Sequence, residues 1–247
     1  MARRAAIVEA YREMAEQIAG LQLDSTTTVQ DATVTSDETK THVSAIIKGA
    51  RIVEEHAIPD GYVVKMQVPM FGASKSVASA VLMKPEVKES FPAPVASVAP
   101  SVPSSSSVHV DVTINNGTST KTMGGSTEGS STTAAPAGRA IGGYTGLIVD
   151  CSGLGLKPAM SPVIKNDLGQ PIYGYKNLDY DKVVSQGMAG YTTSVSRAAR
   201  AGKNPLVVRA IRLDGVNPVL STADANRVLI ENGATGFLDK TNVVFVR

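Results

Sequence analysis

Apolar residues recur at helical spacing from the start of the chain. Ile7, Tyr11, Met14, Ile18 and Leu21 fall four and three apart, which sets them on one stripe of a helix. Ala, Arg, Glu and Gln fill the positions between and favour the same conformation. Gly20 is the expected stop. The stripe is too short for a coiled-coil seam, so the helix is expected to cover a sheet. Thr26, Thr27, Thr28 and Val29 then favour a strand. Ser36 before Asp37 and Glu38 predicts a helix N-cap with an acidic first turn. Val43, Ile46 and Ile47 give that helix a short apolar face ending near Gly49.

The period then shortens to two. Residues 51–55 and 62–68 flank Pro59-Asp60-Gly61, a turn in which Pro presets φ and Gly takes the left-handed position. Val64, Met66 and Val68 alternate with Lys65 and Gln67, so one hairpin face is expected to be buried. Residues 72–83 predict a short helix. In the last hundred residues, the stretch 144–150 reads as a buried strand. Residues 163–165 and 171–175 read as a second hairpin around Asn166-Asp167-Leu168-Gly169. Val184, Met188, Tyr191, Val195 and Ala198 suggest a helix, closed by Arg197, Arg200 and Gly202 at the negative end of its dipole. Residues 205–211 predict a strand. Ser221 or Thr222 caps a helix with Val228 and Leu229 inward, closing at Asn232-Gly233, and residues 243–246 form the last strand.

Residues 90–140 break this pattern. Pro92, Pro94, Pro100 and Pro103 lead into Ser104-Ser105-Ser106-Ser107, and Gly, Ser, Thr and Ala dominate from Gly117. Such a stretch buries too little apolar surface to offset chain entropy by itself. One island interrupts it: Val108, Val110, Val112 and Ile114 alternate with His109, Asp111 and Thr113 before the turn signal Asn115-Asn116-Gly117. A lone hairpin is marginal in water, so this strand needs a sheet. It can join the chain's own edge or add to a neighbouring subunit.

Composition narrows the function classes. Across 247 residues aromatics make up 4% and Trp is absent, which disfavours stacking platforms for sugars or bases. The net charge of +2 carries no nucleic-acid footprint. Cys151, the single cysteine, rules out an intramolecular disulfide. The three histidines, His42, His56 and His109, are scattered. No apolar run approaches the roughly 20 residues of a membrane span, and the first residues hold no signal-peptide core. The first helix begins without a capping residue, which suggests a missing upstream segment.

Candidate chemistry is thin. Gly153-Leu154-Gly155 follows a strand, but Pro158 and Pro162 deny it the helix that a phosphate loop needs. Cys151 has no histidine near in sequence to act as a base, so a buried structural thiol is expected. Asp179 or Asp181 fits a helix N-cap better than a Ca²⁺ loop. Arg197, Arg200, Lys203, Arg209 and Arg212 form a modest basic cluster, by default a solvated face and otherwise a contact for anionic lipid, glycan or nucleic acid.

Several stretches carry a resemblance. They are residues 2–12 (Ala2-Arg3-Arg4-Ala5-Ala6-Ile7-Val8-Glu9-Ala10-Tyr11-Arg12) with Ala15-Glu16-Gln17-Ile18, then Ile47-Lys48-Gly49-Ala50-Arg51-Ile52-Val53-Glu54-Glu55. Gly61-Tyr62-Val63-Val64 and Val68-Pro69-Met70-Phe71-Gly72 continue them. Together these resemble the LPP-twenty lipoprotein-like family, which overlaps the N-terminal region of the flagellar assembly protein T family. Residues 145–150, 153–162 and 204–208 resemble the C-terminal extension of bacterial members. The resemblance implies an exported, non-enzymatic envelope protein, skips residues 90–140 and brings no catalytic residues.

The sequence therefore predicts an α+β chain. Two lobes, residues 1–89 and 141–247, place helices on mainly antiparallel sheets, and the Ser/Pro/Gly-rich insert 90–140 separates them with its strand at 108–114. The expected role is structural, in the bacterial periplasm, on the outer membrane or outside the cell, as a filament or ring subunit or docked to a flagellar-type assembly. The expected interface is Val108, Val110, Val112 and Ile114. The alternative is a periplasmic module that binds peptidoglycan, glycan or lipid through Arg197, Arg200 and Lys203. Expected partners are copies of the same chain or a larger envelope assembly, with contact to the cell wall. No cofactor, metal, nucleic acid or transmembrane segment is expected.

Overall fold

In the computed structural model, which describes residues 1–95 and 138–247, the first apolar stripe forms α1 (Ala2–Ala19) and stops at Gly20. The Thr run that favours a strand instead builds a turn and a cap. Asp24 Oδ1 accepts from the amides of Thr26 (2.8 Å) and Thr27 (3.0 Å). Thr28 Oγ1 and the Asp31 carboxylate then cap each other's backbone at the start of α2 (Val29–Thr35). Local side-chain bonds of this kind outcompete a ladder, and only an isolated bridge, Gln22 to Thr28, survives of the expected strand. Ser36 caps α3 (Asp37–Lys48) by accepting from Thr39 N at 3.2 Å. The predicted hairpin follows as β1 (Arg51–Ile58) and β2 (Gly61–Gln67), antiparallel, and then the short α4 (Val77–Val81).

The C-terminal region has two sheets. Strand β3 (Gly146–Asp150), β4 (Ile164–Asn166), β5 (Pro171–Tyr173), α5 (Tyr180–Gln186), β6 (Gly190–Thr192), β7 (Pro205–Arg209), β8 (Arg212–Asp214), β9 (Asn217–Leu220), α6 (Thr222–Thr235) and β10 (Val243–Val246) follow in order. One sheet runs β6-β10-β3-β7 and is parallel throughout. The other runs β5-β4-β9-β8 and mixes antiparallel pairs with the parallel pair β4 and β9. Helices and sheets with both kinds of pairing make the chain α+β, as its pattern implied.

The helix expected across residues 184–198 is not formed. α5 ends at Gln186 because Gly187 takes φ +75. A side chain there would meet the Phe71 ring at 2.8 Å, so glycine is needed for contact as well as for conformation. The chain then forms β6 and two single 3-10 turns, at Val195–Arg197 and Ala199–Ala201. The apolar spacing is real but serves a different purpose: Tyr191 packs on Phe245, while Ala198 covers the opposite face of the sheet with Ile148, Val244 and Val246.

The larger of two apolar clusters joins the parts. Leu147, Val149, Leu206, Val208, Val243 and Phe245 share it with Ile18, Val29, Val43, Val77, Ala78, Ala80 and Val81. Residues 69–95 then run as a strap over the C-terminal region. Gly72 N donates to Val184 O at 2.8 Å and Glu89 N to Lys176 O at 2.8 Å. Phe91 stacks on the buried Tyr173 with ring centres 6.4 Å apart and planes 3° off parallel. No helix among the described residues is long and apolar enough to cross a membrane.

Candidate functional site

The described residues hold little that resembles a reaction centre, and the candidate surfaces are strand edges. Among the described residues β1 has one neighbour, and all eight of its residues are exposed. Ile52, Val53 and Ile58 lie among them, Val53 at 47% exposure. Half-buried Tyr62, Val63, Val64 and Met66 of β2 lie on the sheet, and β2 packs against α1. Of the whole α1 helix only Ile18 is buried. The helix and hairpin thus form an arm with a thin apolar interior. Its burial is less than the clean one-faced pattern the sequence implied, because two strands and one helix leave the outer strand uncovered.

Ion pairs tie the arm together. Arg3 Nε lies 2.9 Å from Glu55 Oε2, and Lys65 Nζ lies 2.7 Å from Glu54 Oε2. The Lys65 hydrogen bond holds the Glu54 carboxyl below its usual range, and the same bond raises the Lys65 ammonium. The pairing register slips between Ile52 and Glu54, so Val53 forms a bulge that bends the edge. Among the described residues β7 is another sheet-edge strand, at the end of the parallel sheet, where Val207 is 49% exposed and Ile211 just beyond it 52%.

The sequence-predicted residues fare differently. Val108, Val110, Val112 and Ile114 lie outside the described residues. Arg197 and Lys203 are exposed. Arg200 does not belong with them. Its Nε donates to Thr241 O at 2.7 Å and its Nη1 to Gln186 O at 2.8 Å. Its Nη2 donates to Gly187 O at 2.5 Å and Thr241 Oγ1 at 2.9 Å. Desolvation lowers its pKa from the ordinary value. The five-donor fork of a guanidinium suits this role: Arg200 satisfies the carbonyls left open where α5 ends, and the basic face loses its central member.

The remaining chemistry is structural. Cys151 is buried at the end of β3, and burial pushes its thiol up to about 12. Gly153 and Gly155 sit in an exposed turn with no helix behind them. Asp179 caps α5 by accepting from Lys182 N at 3.0 Å. Among the described residues no group of three or more His, Cys, Asp or Glu is placed to hold a metal. A hollow of about 210 Å³ lies beside the strap at Lys88, Phe91, Asn177 and Asp239, and it is shallow and open.

Sequence reasoning missed the strap and the residues that hold its far end. Val95 exchanges two hydrogen bonds with the Asn226 side chain, at 2.8 and 2.7 Å. The buried Glu231 carboxylate accepts from Ile141 N and Gly142 N, both at 2.8 Å. A Glu in a polar helix reads as a solvated face, so only Phe91, the lone aromatic of residues 90–140, signalled that this stretch has a packed end. No curated protein matches the chain. Residues 146–247, less than half of it, match the family described as Treponema pallidum Tp0624, second domain, a stretch that holds the two-sheet C-terminal region.

Proposed function

We propose that this chain is a non-enzymatic structural protein of the bacterial cell envelope or surface that self-associates as a filament or ring subunit, or docks to a flagellar-type assembly, by strand addition. The observation that carries this reading is β1, an eight-residue strand exposed along its length, with Ile52, Val53 and Ile58 on its surface and one neighbour in its sheet among the described residues. An unpaired edge of this length is a template for another strand. The resemblance of the first lobe to envelope lipoprotein-like proteins supports the location, and the strand-patterned residues 108–114 supply a donor. The peptidoglycan, glycan or lipid reading loses support because Arg200 is committed to backbone carbonyls.

Light scattering coupled to size exclusion tests the proposal on the full chain. Oligomers that grow with concentration are expected, and the double variant Ile52→Lys/Ile58→Lys is expected to reduce them, since charge blunts an edge. A monomer that persists at the highest concentration, or assembly untouched by the double variant, would count against strand addition at β1.

A further inference from the structure

Among the described residues β1 and β7 both lie at sheet edges, and their charges are opposite. Beyond Arg51, β1 and its turn (residues 52–60) carry Glu54, Glu55 and Asp60 and no Lys or Arg. Residues 203–212, which hold β7, carry Lys203, Arg209 and Arg212 and no Asp or Glu. Each edge also turns apolar side chains to solvent, Ile52, Val53 and Ile58 on the first and Val207 and Ile211 on the second. Glu54 and Glu55 bind Lys65 and Arg3 yet stay exposed, and a carboxylate has acceptor sites to spare for a second cation. The backbone of β7 is set out for a further strand. Ala210 N donates to Asp150 O at 2.9 Å, and the register of β7 on β3 is unbroken, so Leu206, Val208 and Ala210 aim their peptide groups at β3. Val207 and Arg209 alternate with them and turn their amides and carbonyls to the outer edge. Pro205, which has no amide to pair, suits the start of an edge strand.

We infer that β1 of one copy adds to the outer edge of β7 in the next copy. The inference rests on the self-association proposed above and names the strand that meets β1. Pairing these unlike edges brings Glu54 and Glu55 toward Lys203 and Arg209 and covers Ile and Val on both sides. β7 on β7 would bring only cations together, and β1 on β1 chiefly acids; like charges facing across a ladder are destabilising. Residues 108–114 offer β1 a carboxylate, Asp111, and no Lys or Arg, so they match its acids less well than β7 does. Because the two edges differ, the contact is heterologous. Each added copy brings a new free β1 or a new free β7, so growth runs on as a filament or closes as a ring.

Blocking one edge at a time tests the pairing on the full chain. Ile52→Lys/Ile58→Lys closes β1 with cations, and Val207→Glu/Ile211→Glu closes β7 with acids. All four side chains are exposed, and each variant is first required to unfold at the parent's denaturant midpoint. Arg209→Glu, also at an exposed position, takes the place of the second variant if that one unfolds early. In light scattering coupled to size exclusion, each variant alone should stay monomeric at concentrations where the parent forms oligomers. An equal mixture of the two should recover a species that contains both chains, because each supplies the edge the other lacks. If the β7 variant assembles as the parent does while the β1 variant does not, or if the mixture stays monomeric, the pairing of β1 with β7 is overturned and strand addition at β1 stands. If the β1 variant assembles as the parent does, or the parent is monomeric at every concentration, both readings are overturned.

Discussion

β10 and β1 are both strands and meet opposite fates; β10 is wholly apolar, while β1 mixes Ile and Val with Arg51, Glu54, Glu55 and His56. Val243-Val244-Phe245-Val246 is buried at all four positions, while Arg51–Ile58, which also carries Ile and Val, is exposed at all eight. The Ile and Val of both favour strands. Beyond composition the difference lies in neighbours: β10 sits between β3 and β6, with the main core on one face and Ala198 and Ala201 on the other. β1 pairs with β2 on one edge and has no second partner among the described residues. A strand's pattern says that it will pair, and its place in the sheet decides whether its side chains stabilise the fold or remain free for another molecule. Stability should therefore concentrate in the C-terminal region and association in the arm.

The largest effect should come from the buried side of this contrast. Phe245 is fully buried, with the Tyr191 ring centre 5.4 Å away. Phe245→Ala should cost about 3–5 kcal/mol through lost burial and the cavity left behind. Denaturant unfolding measures it, and a loss no larger than a surface substitution would break the contrast. Next in size is Arg200→Ala, which leaves the carbonyls of Gln186, Gly187 and Thr241 without their donor. It should cost about 1–3 kcal/mol, and Arg200→Lys should not restore it, because one ammonium cannot reproduce the fork. Arg197→Ala is the control and should stay within about 0.5 kcal/mol. Equal losses at the two arginines would mean that Arg200 is not the staple its bonds describe.

Cys151 probes the same buried region by titration. Burial raises its thiol from 9.0 to about 12. Below pH 9 folded and unfolded chains both keep the proton, and between about 9 and 12 only the unfolded chain ionises. The raised value therefore favours unfolding progressively across that window. A thiol reagent at pH 8 should label the native protein no faster than the protein opens, and labelling should become prompt in denaturant. Prompt labelling of the folded chain would show that the end of β3 is open to solvent.

Much of the fold was legible in the sequence where the signal was local. The stripe from Ile7 to Ile18, the Ser36 and Ser221 caps, Pro59-Asp60-Gly61 and the largely apolar strands β3 and β10 each appear where their pattern places them. The failures are tertiary. Thr26 to Val29 has strand composition, yet Asp24 and Asp31 capture its amides. Val184 to Ala198 has helical spacing, yet Gly187 breaks the chain where Phe71, more than a hundred residues earlier, packs against it. The basic cluster was visible as composition, but no property of Arg200 alone distinguishes a solvated arginine from one wrapped in carbonyls. The parallel sheet was also hidden, because pairing direction depends on which distant strands meet, and residues 146–150 read the same either way.

The smallest effect on stability belongs to the arm, and it sharpens the comparison most. Ile52→Ala and Ile58→Ala remove apolar groups that are already 37% and 44% exposed, and neither residue belongs to either core cluster. Each should change unfolding by no more than about 0.5 kcal/mol. Their partners in the ladder, Met66 and Gly61, keep their backbone bonds whichever side chain stands opposite. If β1 docks another strand, the same substitutions should weaken association, because the groups lost are those a partner would cover. The two measurements must therefore separate: unfolding nearly unchanged, self-association shifted to higher concentration. Loss of stability at Ile52 or Ile58 would mean that the arm is already covered in the monomer, and β1 would then be an ordinary strand rather than an open edge.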